Sequence, residues 1–249
     1  MRTAVIIPTL HDEAGLARLL ARLARLDPAA DEVIVVDGAA SPACELTCRS
    51  AHAQWLPVRG GRGGQLALGA ARARADVLWF LQPHCEPPLA AVTAIRTAVA
   101  ARAVGGYFRF QLGGAPTAFK GLIERGIAWR SRWGMVYSDQ GIFVTRAAYA
   151  DTPGFAVQPL FEEVAMVRAL KRTGRFVALP APIAVSPSRW EREGYLRRTA
   201  IDRALALGFL CGISAARLAR WQGERLRPAA PDLRSRHHAT ADSPEAHKL

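Results

Sequence analysis

Glu32-Val33-Ile34-Val35-Val36-Asp37-Gly38 decides the fold. Four successive β-branched residues with no polar alternation read as a strand buried on both faces, at Glu32–Val36, as in the middle of a parallel sheet. Upstream, Ala14 to Leu26 places Leu16, Leu19, Leu20, Leu23 and Leu26 at helical spacing, and Ala4 to Ile7 is a second buried strand ending at Pro8. Downstream the spacing predicts a strand over Ala53–Val58, a helix over Gly64–Ala75, a strand over Asp76–Leu81 and a helix over Leu89–Ala101. Strands and helices taking turns give βαβ units with right-handed crossovers, hence an α/β fold.

Beyond residue 103 the rhythm loosens. Val104–Leu112 reads as a strand with Tyr107, Arg109 and Gln111 on the face opposite Phe108 and Phe110, and Ala118–Trp133 as a helix mixing apolar residues with Lys120, Arg125, Arg130 and Arg132. Phe161–Arg172 reads as a helix opening on two carboxylates, Phe176–Leu179 and Ile183–Val185 as short strands, and Tyr195–Trp221 as mostly helix. No internal repeat is visible. One domain is expected over residues 1–223, its C-terminal helical appendage at about 194–223. Residues 224–249 lack periodicity and read as a disordered tail.

The chain of 249 residues has a net charge of +12, from 33 basic and 21 acidic residues, and half its residues are hydrophobic, enough for a sizeable core. That field favours anionic partners such as nucleoside diphosphates, lipid headgroups or nucleic acid, or it reflects a compositional habit, since all but three of the basic residues are arginine. The aromatics are not interleaved with basic residues in an RNA-binding pattern, so no nucleic-acid partner is expected. Cys44, Cys48, Cys85 and Cys211 have neither zinc nor disulfide spacing and read as buried free thiols of a reducing compartment. The first apolar run is too short for a signal peptide, which predicts a cytoplasmic protein. The longest apolar stretch, Ala204–Ala216, has thirteen residues where a spanning helix needs about 20. A buried or an interfacial helix remains open. Leu205, Leu207, Phe209, Leu210 and Ile213 between flanking arginines fit either a core helix or one lying on the inner face of the cell membrane.

In an open α/β sheet ligands bind beyond the carboxyl ends of the strands, where residues 8–13, 37–41, 59–65 and 82–86 should converge. Asp37 beside Gly38 could accept bonds from a base or ribose, or start a turn. Arg59-Gly60-Gly61-Arg62-Gly63-Gly64-Gln65 suits a phosphate at a helix N-terminus, or is a surface loop, and it is not a Walker A motif. Glu162-Glu163 could supply a general base or simply complement the helix dipole. Ser138-Asp139-Gln140-Gly141 is a substrate-binding turn or a turn into a strand.

Taken in order, these segments resemble the family-two glycosyltransferases of the GT-A (Rossmann-like) fold, over roughly Thr3 to Trp221. They are similar above all to the small bacterial branch associated with radical-SAM and selenoprotein-type domains, sometimes grouped with carotenoid glycosyltransferases. The resemblance rests on Ile6-Ile7-Pro8-Thr9-Leu10, Val35-Val36-Asp37-Gly38, Arg62-Gly63 with Gln65-Leu66, Phe80-Leu81, Ser138-Asp139-Gln140-Gly141, Glu162-Glu163 and Ser188-Arg189-Trp190. It implies a mostly parallel sheet flanked by helices and transfer of a sugar from a nucleoside-diphosphate sugar to an acceptor hydroxyl with inversion. Pro8, Thr9, Asp12, Asp37, Gly38, Arg62, Gln65, Arg189 and Trp190 would hold the nucleotide sugar, Asp139 and Gln140 would face the sugar or acceptor, and Glu163 would be the base. The acceptor is unnamed, with a lipid-like molecule in view, and Mg²⁺ or Mn²⁺ is the implied cofactor.

The chain departs from that pattern in places. His11-Asp12 replaces Asn-Glu, an aspartate is missing from Gly38-Ala39-Ala40-Ser41-Pro42-Ala43, and the base aspartate is Glu163. His84, in Gln82-Pro83-His84-Cys85, stands where the metal-binding aspartate is expected, which leaves His84 as the metal candidate. Imidazole suits softer metals than Mg²⁺. The alternatives are a non-catalytic nucleotide-sugar binder on this scaffold and a binder of anionic membrane or nucleic acid.

Overall fold

The computed structural model describes residues 1–226, with side chains to residue 223. Most of the expected tail therefore lies outside the described residues. The first half is β1 (Thr3–Thr9), α1 (Glu13–Leu23), β2 (Glu32–Asp37), α2 (Pro42–Ser50), β3 (Gln54–Pro57), α3 (Arg62–Arg72) and β4 (Val77–Phe80). All four strands run parallel, and their register sets Thr9 against Asp37 and Asp37 against Pro57, so the carboxyl ends share one edge. α2 was not foreseen, and α3 begins two residues earlier than the glycines suggest, at Arg62.

The second half is β5 (Cys85–Glu86), α4 (Ala91–Ala100), β6 (Ala103–Leu112), α5 (Ala118–Arg132), a 3-10 turn (Ser138–Gln140), β7 (Phe143–Thr145), α6 (Arg146–Ala150), α7 (Val164–Thr173), β8 (Arg175–Val185), α8 (Ser188–Glu193), α9 (Tyr195–Leu210) and α10 (Ala215–Leu226). The eight-stranded sheet has the order β3-β2-β1-β4-β7-β6-β8-β5, with β7 antiparallel between β4 and β6 and β8 parallel to β6. Two expected strands are one: β8 runs through Pro180 and Pro182 because a register shift at Phe108/Arg109 absorbs the residues that cannot ladder. The expected helix at Phe161 starts at Val164, since Phe161 has φ +61° and Glu162 and Glu163 form the turn before it. The long C-terminal helix breaks after Leu210, where Gly212 has φ +85°.

Alternation along β1 divides the core. Val5 and Ile7 face α1, α2 and α4, with Leu16, Leu19, Cys44, Cys48 and Ile95, whereas Ala4 and Ile6 face α3, α6 and α7, with Leu66, Ala148, Val167 and Leu170. Each fully buried leucine stabilises by about 1.5–3 kcal/mol, so both faces anchor the sheet. A third cluster, Phe161, Val164, Ile201, Leu205 and Leu218, fixes the turn before α7 onto α9 and α10. Cys44, Cys48 and Cys85 are buried and free as read from the sequence, but Cys211 is exposed because it follows the end of α9. Among the described residues no helix is long and apolar enough to cross a membrane.

Candidate functional site

The first turn of α3 links two clusters of buried polar side chains, one at each end of the turn. At one end, Gln65 Nε2 donates to the Thr9 carbonyl at 2.8 Å and to the Val36 carbonyl at 2.9 Å, tying the helix to the ends of β1 and β2. Gly38 permits this, because a Cβ there would lie 2.9 Å from Gln65 Nε2. Asp37 is buried, and its carboxylate accepts from Ala39 N at 2.9 Å, Ser41 N at 2.7 Å and Trp55 Nε1 at 3.3 Å. Burial alone raises its pKa, but those donors outweigh burial and hold it below the ordinary carboxylate value. The arrangement is that of an aspartate starting a turn, the second of the two roles open in the sequence. Pro8 and Thr9 end β1, and Asp12 caps α1 by accepting from Gly15 N at 3.0 Å.

At the other end Arg62 Nε donates to Glu162 Oε1 in a tight ion pair, with the carboxylate fully buried and the guanidinium side chain 43% exposed. Gly63 lets the helix approach, since a Cβ would meet the Ala156 carbonyl oxygen at 2.1 Å. Glu163 is buried beside this pair and accepts from Ser138 N at 2.9 Å through Oε1, while Oε2 has no partner. Burial, then the neighbouring Glu162, push its pKa up to about 7, against the pull of Arg62. A carboxyl poised there exchanges a proton readily at neutral pH. Glu162 Oε2, Asp139 Oδ1, Tyr137 Oη and Ser138 Oγ are also buried without partners. So many unmatched polar atoms in one place mark a site made to meet polar groups.

His84 lies within the fields of Asp139, Asp12, Arg189 and Arg62; burial dominates and pushes its pKa down, leaving neutral imidazole at pH 7. Two expected residues turn elsewhere. Gln140 is buried and accepts from Ser131 Oγ at 3.1 Å and Tyr137 N at 3.4 Å, so it shapes the turn. Trp190 packs on Phe110 in the core, with ring centroids 6.2 Å apart. Arg189 pairs with Glu193 at 3.3 Å. Sequence reasoning missed Tyr137, whose ring lies 3.6 Å from the Arg130 guanidinium carbon, although an aromatic directly before Ser138-Asp139 was a usable signal. Arg198, one of the arginines flanking the apolar C-terminal stretch and expected to face anionic lipid, is instead buried and bound to Asp202 and Glu193, four and five residues away.

The family model for glycosyl transferase family 2 matches residues 4–136, just over half of the 249 residues. No curated protein matches the sequence significantly. Among solved structures, glucosyl-3-phosphoglycerate synthase from Mycobacterium tuberculosis, crystallised with Mn²⁺, uridine diphosphate and glucosyl-3-phosphoglycerate, is 18% identical with a TM-score of 0.59 over 86% of this chain and 81% of its own. TarS of S. aureus is 17% identical with a TM-score of 0.59 over 81% of this chain, and a mycobacterial protein is 20% identical with a TM-score of 0.53 over 74%. The chain spans only 39% and 65% of the length of those two. At these identities the likeness shows the fold, a GT-A arrangement of sheet and helices.

Proposed function

The chain belongs to glycosyl transferase family 2, and we propose that it moves a sugar from a nucleoside-diphosphate sugar to an acceptor hydroxyl with inversion. The observation that carries this reading is Glu163, a buried carboxyl with one oxygen fixed by Ser138 N–H, the other uncommitted, and a pKa raised to about 7. In the proposed step Glu163 takes the acceptor proton as the acceptor oxygen bonds to the anomeric carbon. The bond from that carbon to the diphosphate breaks, and its electron pair leaves on the diphosphate oxygen. Arg62, partly exposed at the N-terminus of α3, is suited to balance that charge. Pro8, Thr9 and the turn built by Asp37 and Gly38 form the nucleoside end of this proposal, and Asp139 faces the transferred sugar or the acceptor.

The implied divalent ion does not fit the side chains present. Residue 84 offers a neutral imidazole, and among the described residues no three His, Cys, Asp or Glu side chains converge to hold a metal. No step above runs through one. Mn²⁺ and uridine diphosphate stand in the mycobacterial synthase complex, so the test includes both. Purified protein is screened against nucleoside-diphosphate sugars for thermal shift and sugar release, with and without Mn²⁺. Turnover lost in Glu163→Gln while binding persists supports transfer. Binding without any turnover in the wild type overturns it in favour of a nucleotide-sugar binder.

A further inference from the structure

Trp129 on the outer side of α5 and Trp133, which caps its C-terminus, are 64% and 70% exposed, their rings 6.2 Å apart and edge to face. Leu122, seven residues before Trp129, shares that side and is 51% exposed. α9 lies alongside in the same direction: Phe119 meets Tyr195 at 6.2 Å, and a Cβ on Gly126 would meet Arg203 Nη2 at 2.9 Å. Extending that register puts Trp129 and Trp133 level with Leu207 and Leu210, which are also exposed, with Ile213 just beyond. Leu205 and Phe209, grouped with them in the sequence, turn inward, Leu205 into the third core cluster and Phe209 onto Phe161 at 4.5 Å. α9 is thus apolar on two sides, and the core covers only one.

The exposed charges described on α5, α9 and α10 have one sign. Among the described residues of α5, α9 and α10, every exposed charged side chain is an arginine: Arg125, Arg132, Arg197, Arg203, Arg217 and Arg220. The acids of these helices whose side chains are described are engaged within the fold, Glu124 by Leu112 N at 2.9 Å and Asp202 by Arg198. Protruding indoles among aliphatic side chains, ringed by arginine, match the boundary between headgroups and acyl chains, where tryptophan is enriched and anionic lipid attracts cations. We infer that the α5/α9 face docks on an anionic lipid bilayer.

The face is one layer of side chains from the buried carboxylates. Arg130 stacks on Tyr137, Ser131 bonds Gln140, and Phe209 stacks on Phe161, two residues from Glu163. Docking does not rest on the sugar-transfer reading, and its test needs no sugar. The full chain is floated with vesicles of phosphatidylcholine alone and with about 30% phosphatidylglycerol. Wild type is expected to float with the anionic vesicles at low salt and to shift its tryptophan emission to the blue. Trp129→Ser/Trp133→Ser is expected to weaken partition about tenfold and abolish most of that shift, with an unchanged melting temperature. Arg125→Gln/Arg203→Gln, which leaves the indoles in place, is expected to weaken binding and flatten its salt dependence. Wild type remaining in the soluble fraction, or a tryptophan variant that floats equally well, overturns the inference. So does a stable dimer in sedimentation that the tryptophan variant dissolves, because a second copy then covers the face.

Discussion

Asp37, the last residue of β2, and Glu163, ahead of α7, are both buried carboxylates, and the first turn of α3 holds the residue before each, Gln65 on the Val36 carbonyl and Arg62 on the Glu162 carboxylate. Asp37 has three donors, two of them backbone amides from the next four residues, and its pKa is held down. Glu163 has one amide donor and an acidic neighbour, and its pKa is pushed up to about 7. Burial raises both values, more strongly at Glu163, where Glu162 adds to it, whereas at Asp37 three donors outweigh burial. A carboxylate saturated by its own backbone holds shape, and one left half-paired is available for chemistry.

The contrast is broken most directly at Glu163. Glu163→Gln keeps the Ser138 amide bond and removes the proton acceptor, so transfer should fall about 10²-fold or more while donor affinity stays within about threefold. In the wild type the rate should drop as pH falls below about 7. Stability moves the opposite way. The folded pKa lies above the ordinary 4.5, so stability is full below pH 4.5 and declines as pH rises through about 7, a slope that Glu163→Gln removes. A melting temperature flat across that range would place the charge elsewhere.

Arg62→Ala should come next, leaving Glu162 buried without its counter-charge. The loss should be about 2 kcal/mol, less than the 3–5 of a fully buried pair because the arginine is half exposed. Chemical denaturation measures it, and Arg62→Lys recovering less than half would show that the guanidinium geometry matters. Asp37→Asn supplies one acceptor where two amides need accepting, at a cost of about 1–3 kcal/mol. Asp37 stabilises fully above pH 3.8 and less as pH falls through its lower folded value, so the wild type and the variant should converge in acid. Equal stability at neutral pH would end the shape-holding role. The smallest effect is expected at His84. Donor affinity of the wild type should change less than about threefold on adding EDTA, whereas His84→Asp should make binding respond to Mn²⁺, as measured by titration calorimetry.

What the sequence revealed and what it hid follow from range. The strands β1, β2 and β4 were legible because their β-branched and aromatic runs are local and buried on both sides. α2 was not, since only Cys44 and Cys48 of its nine residues face inward, and β5 and β7, at two and three residues, are too short to show a period. Within the site, Glu163 was readable as an acid near a helix start. Its raised pKa comes from burial, which only the folded chain supplies, and from Glu162 beside it, against the pull of Arg62 and the Ser138 amide, about 100 and 25 residues away. Gln65 looked like a ligand residue, yet its amide is used on carbonyls 56 and 29 residues back. Trp190 looked like part of a closing segment, and the aromatic partner that draws it into the core is on β6.

The first turn of α3 also governs how this sequence could drift. Gln65 is fitted to a glycine at 38, Gly63 to the backbone at Ala156, and Arg62 to the acid at 162. An alanine at 63 would push its methyl into a carbonyl oxygen, and the helix would lift from both of its other moorings together. Positions 38, 62, 63, 65 and 162 therefore behave as one heritable unit. Changes among them should be strongly epistatic, and a lineage could exchange them together far more readily than one at a time.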